Sequence, residues 1–524
     1  MAENKNYIPA LSKDKFRFVQ QNEKIHDKAL KTKPIGYFKD AWIRFRKNKA
    51  SVAAAIVLAV IVLYAIIVPF ISRHKLGEKS DMTYKKMNPE LVIGDTYIFD
   101  GAKTMSLNDS YLINLVSIGI NAEKAEGKGA ESWDIGFNSF YNPVLKLGRE
   151  SIVKEADKEL VKREGRVSTY GIVGFQYLQV TGTELQKIMD WEKEKSIQVL
   201  YPLVDTSSPY CFDDTDANHW YRSVVNGPDK GTPIDEAGQM MTLEDVKAKG
   251  LTDIFLRDAN GDYIYAKAMG SMYTIRVLYY NYYQYETGYT PTFVFGSDGG
   301  GYDIATRMAY GLRTSFVLSI SVALVCFVIG AIFGAIEGYY GGWVDMLLER
   351  LVDVLWRMPL YIIVTLFQMH LVNTGKASVL SGLLMAFCVT GWIGTASLVR
   401  TQFYRFKNQE YILAARTLGA KDMRLMFRHI FPNAIGTIIT SSAFVIPSII
   451  LSESTFSYLG IVNLNSRGTV SLGTMMADGK EFLSEYPHIL LIPAAVIALM
   501  MIAFNLFSEG LRDAFNPSLR GADD

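Results

Sequence analysis

The sequence predicts an all-α polytopic membrane protein of six transmembrane helices, with a large α+β extracytoplasmic insert between the first and second spans. Three observations carry this reading. Six apolar runs, at 50–71 and about 315–336, 347–371, 379–399, 434–456 and 487–507, each match the roughly 20 residues that cross a hydrocarbon core. Between the first two runs lie some 230 residues of ordinary soluble character. The short segment between the fourth and fifth runs is strongly basic: Arg400, Arg405, Lys407, Arg416, Lys421, Arg424 and Arg428 outnumber Glu410 and Asp422. Short basic loops face the cytoplasm.

Taken in order, residues 1–49 form a basic cytoplasmic tail with thirteen Lys or Arg against five Asp or Glu. Within it, residues 39–49 interleave aromatic and cationic side chains, as a helix lying on a lipid surface would. The uncharged run at 50–71 is an anchor rather than a secretory leader, because its preceding segment is too long and no small-residue cleavage site follows. The first span therefore occupies 50–72 and runs outward.

The insert at 73–295 then lies outside. Stretches 151–163, 183–195 and 242–249 read as amphipathic helices, the second with Thr183 and Gln186 at capping-box spacing. The apolar stretches 254–256 and 263–265 flank Asp258-Ala-Asn-Gly-Asp262, a hairpin signal. The tyrosine-rich stretch 273–285 reads as a further strand. Asp214-x-Asp216-x-Asn218 resembles the start of a calcium loop, but His219 stands where glycine is needed and Val225 where the bidentate glutamate is needed. Asp258-x-Asn260-x-Asp262 fails alike, with Tyr263 and Met269 there, so both are read as surface turns. The six histidines have no zinc-ligand spacing, and no nucleophile–base set is evident. Of three cysteines, Cys326 and Cys388 fall in apolar runs and Cys211 has no partner nearby. A net charge of +1 gives no footprint for nucleic acid.

The five-span core runs from 296 to 511, with the basic loop at 401–433 and a cytoplasmic C-terminus at 512–524. An even span count places that loop inside, in agreement with its charge. Gly330, Gly334 and Gly338 recur every four residues and present one face for close helix packing. Pro359, Pro447 and Pro493 interrupt later spans. Arg350, Asp353 and Arg357 share a helix face as a salt-bridged cluster. Glu453, near the outer end of the fifth span, is an acid close to the bilayer and thus a candidate pathway or outer-gate residue; the alternative is a carboxylate satisfied by Ser452, Ser454 or Thr455, or one at the membrane interface. In the loop itself, Asn408 is placed to cap a helix beginning near Glu410, Gly419 to end it, and Asp422 to start a second helix ending at Pro432. Gly296–Gly301 lacks the Lys and Ser/Thr of a phosphate-binding loop, so no nucleotide site is legible and an ATP-driven process would need another polypeptide.

At this point the chain resembles the membrane-spanning permease subunits of binding-protein-dependent ABC importers, most closely the C-type subunit of oligopeptide and dipeptide permeases. Glu410-Tyr411-Ile412-Leu413-Ala414-Ala415-Arg416, followed by Gly419 and Ile430-Phe431-Pro432, is similar to that family's cytoplasmic signature. Leu413 departs from the general Glu-Ala-Ala triplet. Gly296-Ser-Asp298 with Gly301, Asp303 and Arg307, Gly338–Asp345, Arg350–Val354, Phe504–Asp513 and Trp42–Lys49 are also similar, with Tyr302 in place of an expected arginine. The resemblance covers 40–72 and 293–517 and leaves 73–292 unmatched. It implies the type I importer fold and a non-enzymatic subunit carrying half of a translocation pathway. Its implied partners are a homologous B-type permease, two cytoplasmic ATPase subunits that hold ATP and Mg, and an extracellular substrate-binding protein, all at a plasma membrane. Glu410, Tyr411, Ala414, Ala415, Arg416, Gly419 and Pro432 would then form the loop that docks on an ATPase. Peptides are the implied cargo, with nickel, opines or sugars as alternatives within the subfamily. A membrane-anchored receptor and an ion-coupled carrier are the readings from other classes; the small cytoplasmic portion and the scarcity of intramembrane acids weigh against them.

Overall fold

A computed structural model describes residues 37–74, 80–93, 96–125, 133–155, 158–465 and 469–515. The tail residues 1–36 and the last part of the C-terminus, 516–524, lie outside the described residues.

The first two helices, α1 (Tyr37–Lys47) and α2 (Lys49–Ile71), meet at Asn48, whose side chain accepts from Ser51 N at 3.2 Å and caps α2. Helix α1 is not free-standing. Its Ala41 and Phe45 are buried against Ala514, and Phe45 meets Phe507 edge-on at 5.6 Å.

The insert folds as strands and helices in the order β1 (Glu90–Ile93), β2 (Thr96–Asp100), β3 (Ala102–Leu107), α3 (Asp109–Ala125), α4 (Trp133–Asn138), β4 (Val144–Glu155), β5 (Lys158–Ser168), β6 (Phe175–Thr181), α5 (Gly182–Lys195), β7 (Leu200–Tyr201), α6 (Leu243–Lys249), β8 (Ala266–Met269), β9 (Met272–Leu278) and α7 (Tyr279–Thr287). All pairings are antiparallel: β1 with β2, then β3-β5-β4, then β6-β9-β7 with β8 also on β9. One core gathers Leu112, Val116, Trp220 and Phe255 under the second sheet, and another gathers Tyr84, Ile188, Ile275 and Tyr283 beside the third.

Four local expectations need correction. The helix expected at 151–163 is instead the hairpin of β4 and β5, in register Ile152↔Val161 and Val153↔Leu160. Its Glu and Lys residues suit a helix, but the antiparallel hairpin, whose β5 strand continues at 163–168 into the ladder with β3, prevails over local propensity. Helix α5 is capped by Thr181, not Thr183: its hydroxyl accepts from Glu184 N at 3.2 Å. The stretch 273–285 is a strand only as far as Leu278. Beyond it Tyr279 and Tyr283, four apart and both buried, require the helical spacing of α7. Of the two supposed surface turns, Asp258–Asp262 is exposed, with Asp258 accepting from Asn260 N and Asp262 N at 2.9 Å. In the other, however, Asn218 and His219 are buried, and Asn218 Oδ1 accepts from Phe175 N at 2.8 Å, tying that turn to β6. Helix α6 begins as expected, with Thr242 and Asp245 in a reciprocal capping box. Cys211 is packed in the first insert core.

The helical half contains α8 (Ile304–Tyr340), α9 (Gly342–Trp356), α10 (Leu360–Phe367) continued by a π turn at Gln368–Val372, α11 (Val379–Thr390), α12 (Ile393–Phe406), α13 (Glu410–Thr417), α14 (Asp422–Arg424) continued by a π turn at Leu425–Ile430, α15 (Phe431–Ser442), α16 (Val445–Tyr458), α17 (Leu472–Gly479) and α18 (His488–Phe515). Among the described residues five continuous stretches are long and apolar enough to cross a membrane: Lys49–Ile71, Ile304–Tyr340, Val379–Phe406, Asp422–Tyr458 and His488–Phe515. The remaining apolar run is broken. Gly342–Trp356 and Leu360–Val372 bend by 73° where Pro359 withdraws a backbone donor, so the count is five, or six if the bent pair is one span. At that break Arg350 pairs with Asp353 at 3.1 Å, while Arg357 sits at the C-cap of α9.

Helices α8 and α12 are held together by the three-glycine face. A methyl group on Gly330 would lie 2.7 Å from Trp392 O, and one on Gly338 2.7 Å from Arg400 O; on Gly334 it would strike the carbonyl oxygen of Ala396. Glycine at these positions is what lets the two backbones touch.

Candidate functional site

The basic loop forms the end of the bundle opposite the insert. Gln409, with no side-chain cap bond, takes the N-cap position expected of Asn408, and α13 follows for eight residues. Leu418 ends it and Gly419, at φ +86, turns the chain in the left-handed region that only glycine adopts without strain. Asp422 then starts a helical stretch that does not stop at Pro432 but continues to Tyr458. Pro432 stands in the first turn of α15, directly after the π turn at Leu425–Ile430, where the regular α-helical bonding is already interrupted.

One face of this loop is anchored. Ile412, Leu425, Met426 and Ile430 are buried against Ala335, Tyr339, Val399 and Phe403 of α8 and α12, with Ala415 packed beside them. Arg416 donates to Tyr339 Oη at 3.3 Å, Tyr339 donates to Asp422 at 2.5 Å, and Asn433 joins Tyr411 Oη at 3.2 Å. The other face is bare: Leu418 is 88% exposed, and Leu413, Ala414, Met423 and Phe427 are exposed around it. The loop is thus a fixed knob with an apolar tip and a basic surround.

Beside the knob lies a charge cluster that sequence reasoning missed. Arg400 Nε and Nη2 donate to both oxygens of Asp345 at 2.7 and 2.9 Å, its Nη1 lies 2.8 Å from Glu349, and Tyr404 Oη donates to Asp345 at 2.6 Å. Lys407 Nζ donates to Gly338 O at 2.9 Å. Together these bonds pin the α8–α9 turn to α12. Oxygens of Glu337, Asp345 and Glu349 lie within 4.8 Å of one another, the spacing of cation ligands, but the Arg400 guanidinium already engages two of the three. The available signal was an arginine and an aspartate at facing ends of neighbouring apolar runs.

At the insert-side end, the segment Gly296–Arg307 folds into a self-bonded turn. Asp298 Oδ1 accepts from Gly300 N and Tyr302 N at 2.8 and 3.0 Å, and Asp303 caps α8 through Thr306 N at 2.9 Å. Arg307, nearly fully buried, pairs with Asp298 and with Asp478 at 3.2 Å, tying α8 to α17. Glu453 is 1% exposed. It accepts from Ser315 Oγ at 3.1 Å and Ser457 Oγ at 2.9 Å, with Ser454 at 3.5 Å, and so links α16 to α8.

The insert rests on this same end. Lys86 N donates to Asp298 O at 3.0 Å, Met87 N to Ser297 Oγ at 2.8 Å, Lys86 Nζ lies 4.1 Å above Phe482, and Lys103 Nζ lies 4.3 Å above Tyr486.

Long apolar helices closely packed through glycine, a broken span and an anchored loop knob define a multi-pass membrane permease. Comparison with known proteins makes this specific. Residues 36–89 match the family described as the N-terminal TM domain of oligopeptide transport permease C, and residues 326–521 match the binding-protein-dependent transport system inner membrane component. The chain is 40% identical over 226 residues to the oligopeptide transport system permease protein OppC of Bacillus subtilis, covering 43% of this chain and 72% of that one. It is 39% identical over 227 residues to the dipeptide transport system permease protein DppC of the same organism (43% and 69%) and 33% identical over 230 residues to OppC of Haemophilus influenzae (43% and 70%). A solved amino acid ABC transporter is similar at 16% identity and a TM-score of 0.32, covering 39% of this chain and 91% of that one. The chain belongs to the inner-membrane permeases of binding-protein-dependent transport systems, in the branch of the C-type oligopeptide and dipeptide permeases.

Proposed function

We propose that this chain forms half of the translocation path of an ATP-driven importer of peptides in a plasma membrane. In this reading a homologous permease supplies the other half, two ATPase subunits bind the knob from the cytoplasm, and an external binding protein delivers cargo to the insert-side end. ATP and Mg belong to the ATPases. The termini and the loop 401–433 face the cytoplasm and the insert faces outward, as the basic loop requires under the positive-inside rule.

The observation that carries the coupling assignment is the combination of an anchored inner face with a bare tip at Leu418. An exposed apolar side chain of that size in a basic surround suits a groove on a partner. Because the anchor reaches α8 and α12 through Ile412, Tyr339 and Arg416, a partner that moves the knob moves both helices as a rigid body. Glu410, Tyr411, Ala414, Ala415 and Gly419 set the knob's shape, and Pro432 begins the helix that leaves it. Glu453 is proposed as a hinge of the outer gate, since its bonds must break if α16 and α8 separate.

The test is co-purification of the ATPase subunits, together with ATP-dependent peptide uptake into proteoliposomes. Leu418→Glu, which leaves the anchored face intact, should abolish both while the permease pair still assembles. Retained ATPase binding in that variant would refute the assignment. Replacing 90–292 with a short linker should abolish capture from the binding protein; unchanged capture would remove the insert from that role.

A further inference from the structure

A cleft of about 690 Å³ opens in the insert between the β1–β2 ribbon, the loop after α4 and the start of α7. Its walls are aromatic. Phe140 is 75% exposed and Tyr97 62%, although both are large apolar rings. Phe140 meets Tyr141 edge-on at 5.2 Å and Tyr280 at 5.8 Å, so several rings converge on one space.

Two carboxylates line the same cleft, opposite each other across the ribbon in the register Glu90↔Asp100. They differ in one respect. Asp100 is neutralised by Arg166, whose Nε and Nη2 donate to its two oxygens at 2.5 and 2.7 Å. Glu90 makes no side-chain hydrogen bond or ion pair among the described residues. Its carboxyl is pushed up to about 7 by burial and by the neighbouring Asp100. An acid in such surroundings lacks a counter-ion, and its near neighbours Tyr170 and Tyr280 supply none. Aromatic rings around an unpaired carboxylate make a site for an organic cation: the rings offer their negative faces and the acid the balancing charge.

We propose that this cleft binds the alkylammonium group of a peptide, either the N-terminal ammonium or a lysine side chain, with Glu90 as counter-ion and Tyr97, Phe140 and Tyr280 as the cage. It would act as a capture site on the permease itself, separate from the external binding protein. The choice of peptide as ligand rests on the transport reading above; the cation site does not.

The test is calorimetric titration of the full chain in lipid nanodiscs, without ATPases or binding protein, so failed coupling to the motor leaves the measurement untouched. The probes are trialanine, N-acetyl-trialanine amide, N-acetyl-trilysine amide and chitotriose. Binding by trialanine alone assigns the site to the N-terminal ammonium, and binding by the acetylated trilysine assigns it to lysine. In either case N-acetyl-trialanine amide should not bind, and Glu90→Gln should weaken binding at least tenfold. Tyr97→Ala, at an exposed position where folding is not at stake, should weaken it several-fold. Failure of both ammonium probes, equal binding of the neutral amide, binding of chitotriose alone, or affinities unchanged in Glu90→Gln and Tyr97→Ala would each overturn the proposal.

Discussion

Gly334→Ala is the sharpest test of the packing that joins α8 to α12. The added methyl would meet the carbonyl oxygen of Ala396, with Ala396 C at 2.9 Å and Cα at 3.0 Å. These are backbone atoms and cannot swing aside, so α8 and α12 must part by roughly 1 Å to restore normal contact distances. Overpacking of this kind costs about 1–3 kcal/mol. Against it stands the gain of roughly 1 kcal/mol when alanine replaces glycine within a helix. With backbone as the obstacle the upper part of the range applies, which leaves a net loss of about 2 kcal/mol. Gly394 supplies the control: it too is helical, in α12, but a methyl there would meet nothing within 4 Å. Gly394→Ala should therefore stabilise by about 0.5–1 kcal/mol. At roughly 2–4 °C per kcal/mol for a domain of a few hundred residues, the two variants should melt about 5–10 °C apart in detergent. Fluorescence-detected size exclusion after graded heating would read this. Equal midpoints, or Gly334→Ala melting higher, would refute the close-contact face.

Other outcomes follow from charges and caps. Arg307→Met strips Asp298 of its buried partner and should cost about 3–5 kcal/mol, read as faster proteolysis between α17 and α18. Arg400→Lys cannot reproduce the two-oxygen fork on Asp345; a double-mutant cycle with Asp345→Asn should give a coupling of about 1–3 kcal/mol, and a coupling near zero would dissolve the cluster. Glu90 titrates near 7 in the folded insert against an ordinary 4.5, so the folded state holds its proton longer and stability falls as pH rises from about 4.5 to 7. Glu90→Gln should remove that slope and leave the insert more stable than the parent at pH 8, measured by urea unfolding. Thr242→Ala breaks the capping box of α6 and should cost about 1 kcal/mol in the same assay.

The apolar helices were legible because hydropathy over some twenty residues is a local property, and the glycine face because its period matches a helix. The knob was legible in part: Gly419 marked its turn, whereas the cap passed from Asn408 to Gln409, a one-residue shift of the kind charge and spacing do not resolve. What failed depended on distant partners. Residues 151–163 carry good helix formers but pair as the hairpin of β4 and β5, whose far half, 163–168, is in turn laddered to β3 more than fifty positions away. The Arg400–Asp345 fork joins residues 55 apart, and the bend at Pro359 is a matter of angle that composition does not contain. Glu453 stood out as an acid within an apolar run, but its links to Ser315 and Ser457 required the helices to be assembled first.

The chain enters and leaves the insert at nearly the same point. Glu90 N donates to Phe293 O at 2.9 Å, and the preceding residues Lys86 and Met87 are bonded to Asp298 and Ser297. Some two hundred residues are therefore joined at two adjacent stretches of chain, with Lys103 above Tyr486 and the core around Tyr84 and Phe293 adding contacts beside them, and the match to the N-terminal permease domain stops at residue 89. Removing those residues would uncover Tyr84, Met87 and Phe293, which share a core with Tyr170, Ile188 and Ile275, so a replacement has to bring apolar cover for them. A sensor or an affinity handle placed at this seam, between Pro89 and Phe293, would start from two chain ends already held side by side.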